Sequence, residues 1–208
     1  MVDCNYSTAA GREEPLGEKK AQSLTGLILA GGAGQRVGNR DKGLLSWRGA
    51  PLIEHVRERL NGQVGTVLIS CNRNAGVYAG YADQVVSDCR PGFQGPLAGI
   101  ESAAGLVSSP MLLVVPCDTP LLPIDLGRRL VAALQASPRA DIAHARCGGR
   151  NHYLCAALRT ECLTRLGEFM DGGGRAVRDW FAARQAVCVD FNDPVAFLNI
   201  NTGTGDQP

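Results

Sequence analysis

The sequence carries no excess of charge of either sign: 21 Lys and Arg stand against 20 Asp and Glu, a formal net charge of +1. A balance of that kind announces neither a nucleic acid nor an anionic membrane surface as partner, so any phosphate binding must be local. CxxC and CxxH pairs are also lacking. The eight cysteines, Cys4, Cys71, Cys89, Cys117, Cys147, Cys155, Cys162 and Cys188, are scattered, and several lie inside apolar stretches. That pattern argues against a zinc site or a disulfide framework and for reduced, mostly buried thiols in a cytosolic protein. Residues 1–22 hold no apolar core of the signal-peptide kind, and no later run approaches the ~18 apolar residues of a membrane span. The expectation is a soluble, cytoplasmic protein with no nucleic-acid or membrane partner.

A chain of 208 residues and 22.0 kDa suits one α/β domain, long enough to bury a real core and too short for two comfortable ones. Residues 1–22 are polar, mixed in charge and carry Gly11, Pro15 and Gly17; they are expected to be a disordered extension, with the domain running over 23–208. The apolar run at 24–29 ends in Gly31, Gly32 and Gly34, the pattern of a buried strand feeding a glycine loop. Pro51 opens a helix in which Leu52, Ile53, Val56 and Leu60 share one face, while Glu54, Arg57 and Glu58 point away. Residues 64–70, 84–87 and 111–115 read as further short strands, with a helix starting at Pro96. Beyond residue 138 the pattern is less regular: strands near 141–146 and 153–158, helices near 160–170 and 175–184. Strands alternating with helices imply a mostly parallel sheet covered by helices on both faces. There is no internal repeat or low-complexity tract.

The glycine loop sits just past the carboxyl end of the first strand, where open α/β sheets place their ligands. Glycines let backbone N–H groups converge on phosphate oxygens, and Arg36 and Lys42 add the charge that backbone donors lack. A tight turn with exposed basic residues is the plain alternative. GxxxxGK[ST] is absent, and Gly32, Gly34 and Gly38 are spaced one residue longer than the dinucleotide fingerprint. The strand over 64–70 ends in Ser70, Cys71 and Asn72, where a dehydrogenase would place an acidic residue for ribose. A dinucleotide-binding dehydrogenase is therefore the weaker alternative.

The strand over 111–115 leads into Pro116, Cys117, Asp118, Thr119 and Pro120, which holds an aspartate between two prolines. A hard divalent cation takes one or two carboxylates plus substrate phosphates, so Asp118 is a metal candidate; as an alternative it caps a turn. Asp88, ending another strand, either meets a ribose or base or simply ends the strand. Residues 197–202 alternate apolar and amide side chains, which predicts a packed face with Asn199 and Asn201 on the other. Asn201 either completes the metal shell through its amide oxygen or, like Asn199, satisfies nearby backbone.

Taken together, LILAGGAGQRVGNRDKGLLSWRGAPLIEHV, GPLAGI at 95–100, PCDTP at 116–120 and FLNINT near the end resemble the molybdenum cofactor guanylyltransferase (MobA) family, in order and spacing, over roughly residues 24–202. The resemblance implies a Rossmann-like nucleotidyltransferase fold. Leu29, Ala30 and Gly31 would line the guanine nucleotide site, with Gly32 completing an LAGG that favours guanine over the LAAG of related enzymes. Lys42 would contact the phosphates, Asp88 would belong to the nucleotide pocket, and Asp118 would hold Mg²⁺, with Mn²⁺ the alternative ion. Two departures stand out: Ser70 occupies a nucleotide position where asparagine is common, and Asn151, His152 and Tyr153 replace a usual His-Pro.

The reaction so implied is in-line attack by the terminal phosphate of molybdopterin on the α-phosphorus of GTP, releasing pyrophosphate. The attacking monoester is already largely ionised near neutral pH, so no strong general base is required. His55, His144 and His152 have no evident acid partner and read as structural or surface residues. Catalysis would fall to Arg36, Lys42 and Asp118 through positioning and charge neutralisation. Arg150 and Arg175 follow glycine pairs or triplets and either contact the pterin or belong to ordinary loops. Expected partners are GTP, the molybdopterin cofactor, and molybdoenzyme apo-proteins or their chaperones. Competing readings are a sister enzyme using CTP or a sugar phosphate, and a non-catalytic adaptor that binds nucleotide or cofactor.

Overall fold

An apolar strand without polar alternation is stable only where both faces are covered, and the chain builds that environment around its first strand. The computed structural model describes residues 24–31 and 41–201. The expected extension at 1–22 and the loop residues Gly32, Gly34, Arg36 and Gly38 lie outside the described residues.

Strand β1 (Leu24–Leu29) pairs in parallel with β4 (Thr66–Ser70) on one side and β6 (Met111–Pro116) on the other. Strand β5 (Gln84–Val86) adds in parallel to β4. Beyond β6, β8 (Arg150–Arg159) runs antiparallel, followed by β7 (Ile142–Cys147) and β9 (Ala186–Phe191). The sheet order is β5-β4-β1-β6-β8-β7-β9. From β1 the chain moves outward through β4 and β5, then returns to β6 on the other side. The carboxyl ends of β1 and β6 thus flank the point where the winding reverses, the place where open α/β sheets bind ligands.

The period-2 alternation of each central strand divides the core into two layers. Leu24, Ile28, Val67, Ile69, Leu113 and Val115 face α1 (Leu52–Leu60) and α4 (Leu126–Ala136). Leu27, Leu68, Leu112 and Val114 face α3 (Pro96–Ala104), α5 (Leu166–Asp171) and α6 (Val177–Ala182). The face read from sequence for α1 is the buried one: Leu52, Ile53, Val56 and Leu60. Helix α3 opens with Pro96 at its first turn, where the missing N–H has no intrahelical bond to lose. A short helix, α2 (Ala75–Tyr78), follows β4.

Several elements differ from the sequence reading. The helix expected at 160–170 is a 3₁₀ segment, Thr160–Arg165, leading into α5, and that expected at 175–184 shrinks to α6. Strand β8 begins earlier than expected because Gly148 (φ 56°) and Gly149 (φ 77°) form the tight hairpin turn that joins it to β7. A second small hairpin pairs β2 (Ser46–Trp47) with β3 (Ala50–Pro51). The packed face expected from the alternation over 197–202 is not seen in its described part: Pro194–Phe197 is a 3₁₀ turn and Leu198 is 53% exposed. Edge strand β9 was not expected from the sequence; it is pinned to β7 by a two-pronged contact of Arg146 with Asp190, both at 2.6 Å. Among the described residues no helix is long and apolar enough to cross a membrane.

Leu27 is fully buried at the centre of this arrangement. Leu27→Ala should therefore lower unfolding stability by roughly 2–5 kcal/mol, seen as a lower urea midpoint with an unchanged m-value; a loss under about 1 kcal/mol would contradict its place in the core.

Candidate nucleotide cleft

A cleft of about 1010 Å³ opens at the carboxyl ends of β1 and β6. Its floor is the backbone of Leu29, Ala30 and Gly31, fixed to the next strand by the Ala30 N–H donating to the Ser70 carbonyl at 2.8 Å. Gly95 and Pro96 at the amino end of α3 form part of one wall, and the first residues of β8 form another. The described site residues expected from sequence, Leu29, Ala30, Gly31, Lys42, Ser70, Asp88, Asp118 and Asn201, all line it. Gly32 and Arg36 fall outside the described residues.

At the centre, Lys42 Nζ donates to Asp118 Oδ2 at 3.3 Å and to Asn201 Oδ1 at 2.8 Å. Asp118 stands two residues past the end of β6, its side chain only 11% exposed. Its other oxygen, Oδ1, is buried and has no hydrogen-bond partner among the described residues. An unpaired buried carboxylate oxygen is costly, and a cation completes it well. Among the described residues no group of three or more His, Cys, Asp or Glu could hold a metal. A single carboxylate beside a phosphate site is nonetheless the donor set that Mg²⁺-type ions use when the substrate supplies the remaining oxygens. The residues therefore fit a divalent cation shared with a bound polyphosphate.

Among the described residues the amide oxygens of the C-terminal segment accept from side chains. Thr119 Oγ1 donates to Asn199 Oδ1 at 3.1 Å, Asn201 accepts from Lys42, and the Ile200 N–H donates to the Asp118 carbonyl at 2.8 Å. This segment is thereby stitched onto the loop that carries Asp118.

Asp88 is fixed by a residue the sequence reading did not single out. Asn72 Nδ2 donates to Asp88 Oδ2 at 2.7 Å, and the Asp88 N–H donates to Asn72 Oδ1 at 2.9 Å. Both partners lie at the ends of adjacent parallel strands, a signal visible only once β4 and β5 are paired. The following loop is held down by Arg90, whose guanidinium takes both Glu101 oxygens, at 2.6 and 2.7 Å, and Asp171 at 2.7 Å. Ser70 is buried at the cleft wall, and a Cβ on Gly99 would meet its side chain. Glycine at position 99 is what lets α3 approach the end of β4 this closely.

Arg150 lines the cleft, but Arg175 does not: its guanidinium is spent on Gln94 Oε1 and on the Met170 and Gly174 carbonyls, each at 2.6 Å. His152, read as structural or surface, stands in the cleft wall stacked on Phe197 with ring centroids 4.6 Å apart. His55 is held by the Trp47 carbonyl at 2.8 Å. Burial pushes the thiol of Cys71 up to about 11 and those of Cys155 and Cys162 up to about 12, and it raises that of Cys117 further. These thiols stay protonated near neutral pH and offer no thiolate nucleophile.

A mostly parallel sheet with its ligand cleft at the reversal point, and a lysine facing a buried aspartate there, is the arrangement of a nucleotidyltransferase. The molybdopterin-guanine dinucleotide biosynthesis protein A from Archaeoglobus fulgidus shares the fold, with a TM-score of 0.69 at 20% identity over 86% of this chain and 92% of that one. A nucleotidyl transferase from Methanothermobacter thermautotroptrophicus superposes with a TM-score of 0.68 at 16% identity, covering 86% and 92%. In sequence, residues 26–187 match the MobA-like NTP transferase domain, and the chain belongs to that family. Its relatives include the molybdenum cofactor guanylyltransferase of Shewanella amazonensis, 42% identical over 86% of this chain and 91% of that protein. That of Polynucleobacter asymbioticus is 41% identical over 87% and 92%.

Near the cleft, His144 packs between Tyr153 and Phe181, and neither of its ring nitrogens has a hydrogen-bond partner among the described residues. Burial, with a smaller push from the Arg146 charge, lowers its pKa below the ordinary 6.5 despite the Asn151 amide beside it. A group whose folded pKa is depressed binds its proton first in the unfolded chain, so stability should be lost as pH falls below about 6.5. Urea midpoints at pH 7.5 and 5.5 should show this acid-side loss, and His144→Phe should reduce it; an identical pH profile in the variant would refute the assignment.

Proposed function

We propose that the chain transfers GMP from GTP to the terminal phosphate of molybdopterin, forming the guanine dinucleotide form of the cofactor and releasing pyrophosphate. The observation that carries the chemistry is the pairing of Lys42 with Asp118, whose second oxygen is left open, beside the backbone strip of Leu29, Ala30 and Gly31. The names of the relatives supply the acceptor and the base.

In this reading the backbone at the end of β1 and the amino end of α3 cradle the nucleotide, the helix end contributing partial positive charge. Asp88, held still by Asn72, offers a carboxylate edge to the guanine N1–H and 2-amino group, two adjacent donors. Lys42 neutralises the pyrophosphate as it leaves the α-phosphorus, and a ready-made cation placed there needs no reorganisation during the reaction. Asp118, through its unpartnered oxygen and with the Asn201 amide oxygen nearby, would hold a divalent cation, Mg²⁺ or Mn²⁺, against the phosphates, while the Lys42 ammonium balances charge beside it. When bound, that ion supplies charge neutralisation and orientation to the phosphoryl oxygens. The acceptor monoester attacks as an ion, its second pKa being about 6, so no side chain need remove a proton. Arg150, His152 and Tyr153 form the far wall, where positive charge and ring faces suit an anionic pterin.

Pyrophosphate release should be measured with GTP, CTP, ATP and UTP in turn, each with Mg²⁺ and molybdopterin. GTP should be preferred, and Asp118→Ala should lower kcat by roughly a hundredfold or more. Preference for CTP would keep the chemistry and overturn the guanine assignment. Release from no nucleotide would overturn the enzyme reading in favour of a binding protein.

A further inference from the structure

Asp41 and Lys42 are neighbours in the chain but serve different surroundings. Lys42 lines the cleft; Asp41 does not, and both of its carboxylate oxygens are taken from the side of α2. The Tyr78 hydroxyl donates a short hydrogen bond to Asp41 Oδ1, and Asn74 Nδ2 donates to Oδ2 at 3.1 Å. Asn74 adopts the left-handed backbone (φ 53°) that asparagine tolerates better than most residues, and it does so at the start of α2.

Tyr78 is fully buried in the apolar layer that contains Ala30, Ile69 and Cys71. A phenol in such a layer needs a partner for its hydroxyl, and the partner here is the residue immediately before the cleft lysine. Burial first, then the bond to Asp41, raises the phenol pKa far above its usual value, so the hydroxyl remains a donor at any working pH. The residue after the lysine leans on the same ring: a Cβ on Gly43 would fall against the Tyr78 hydroxyl and within 3.2 Å of ring carbons Cε1 and Cζ. Lys42 is thus flanked on both sides by residues seated on Tyr78.

We infer that Tyr78 and Asn74 are positioning residues for Lys42: by clamping Asp41 they fix the root of the lysine side chain, so that its ammonium meets Asp118 and the phosphates at one place. A four-carbon stem keeps considerable rotamer freedom, and a root that also shifts would spread the charge over a wider volume than the transition state occupies. The inference rests on the role given to Lys42 in the proposed function.

The test is a double-mutant cycle in pyrophosphate release from GTP, using Tyr78→Phe, Lys42→Ala and the combination, with melting temperatures alongside. Tyr78→Phe keeps the ring and its packing and should lower kcat/KM about tenfold, chiefly through kcat. In the Lys42→Ala background the same change should have no further effect, because the charge it positions is gone. Independent, additive losses would show that Tyr78 only packs, and a Tyr78→Phe enzyme with wild-type turnover would overturn the inference outright. Asp41→Asn keeps an acceptor for the tyrosine, and the Asn74 amide can turn to accept from the new NH2, so it should stay near wild type, whereas Asp41→Ala should match Tyr78→Phe. That pair tests the clamp even if Tyr78→Phe fails to fold: equal activities overturn it. Wild-type turnover in Lys42→Ala would instead remove the lysine from the chemistry, a failure of the functional reading that takes the clamp with it and is distinct from an additive cycle.

Discussion

The contact between Lys42 Nζ and Asp118 Oδ2, at 3.3 Å with the carboxylate side chain only 11% exposed, is the constraint around which the described structure is arranged. Sinking a carboxylate this far is unfavourable unless charge and hydrogen bonds compensate it. Lys42 compensates one oxygen and leaves the other open. To bring the pair together, the chain must place the segment after β1 beside the end of β6, positions 76 residues apart. It then lays Asn201 over both, 159 residues from the lysine. The parallel pairing of β1 with β6 performs the first task. The Ile200 N–H to Asp118 carbonyl bond, with Thr119 held to Asn199, performs the second.

This explains why the regular part of the fold lies behind the cleft and the irregular part in front of it. Central strands buried on both faces give a rigid edge. Among the described residues Lys42 and Asp118 meet through a single contact at that edge, so a displacement of an ångström would break it. The supporting contacts are correspondingly local: Asn72 on Asp88, Arg90 on Glu101 and Asp171, and Tyr78 on Asp41. Each pins one loop to one helix or strand end.

Signals that depend on near neighbours in the chain were legible in the sequence. The apolar run of β1, the one-sided α1 and the proline-bracketed Asp118 each announce themselves within a few residues, and the sheet and its ligand edge follow from them. Signals that depend on what a residue meets across space were not. The alternation at 197–202 predicted a packed face opposite Asn199 and Asn201, but the described part, 197–201, is fastened through Asn199, Ile200 and Asn201 to the Asp118 loop and to Lys42. Arg175, next to three glycines, was read either as an anion contact or as part of an ordinary loop; its Nε and Nη1 are held by Gln94 and two carbonyls, and it does not line the cleft. Strand β9, AVCVDF, was missed although five of its six residues are apolar; what makes it a strand is its parallel pairing with β7, a contact across space.

Ser70 shows how such a departure is absorbed by its surroundings. Where the family resemblance led one to expect an amide, this chain has a hydroxyl, and the space is already claimed: a Cβ on Gly99 would reach the Ser70 side chain, so α3 is packed against a small residue. The nearest amide is two residues on, in Asn72, close enough that a Cβ on Gly31 would lie 3.4 Å from its Nδ2. Both ends of that amide are spent on Asp88, one on its carboxylate and one on its backbone N–H. An amide so committed is poorly placed to read a base directly, but it orients the carboxylate beside it. Within the proposed reaction, base selection therefore falls to Asp88. A carboxylate accepts and cannot donate, so it favours the base edge that presents two adjacent donors and is poorly matched to one that presents an acceptor there.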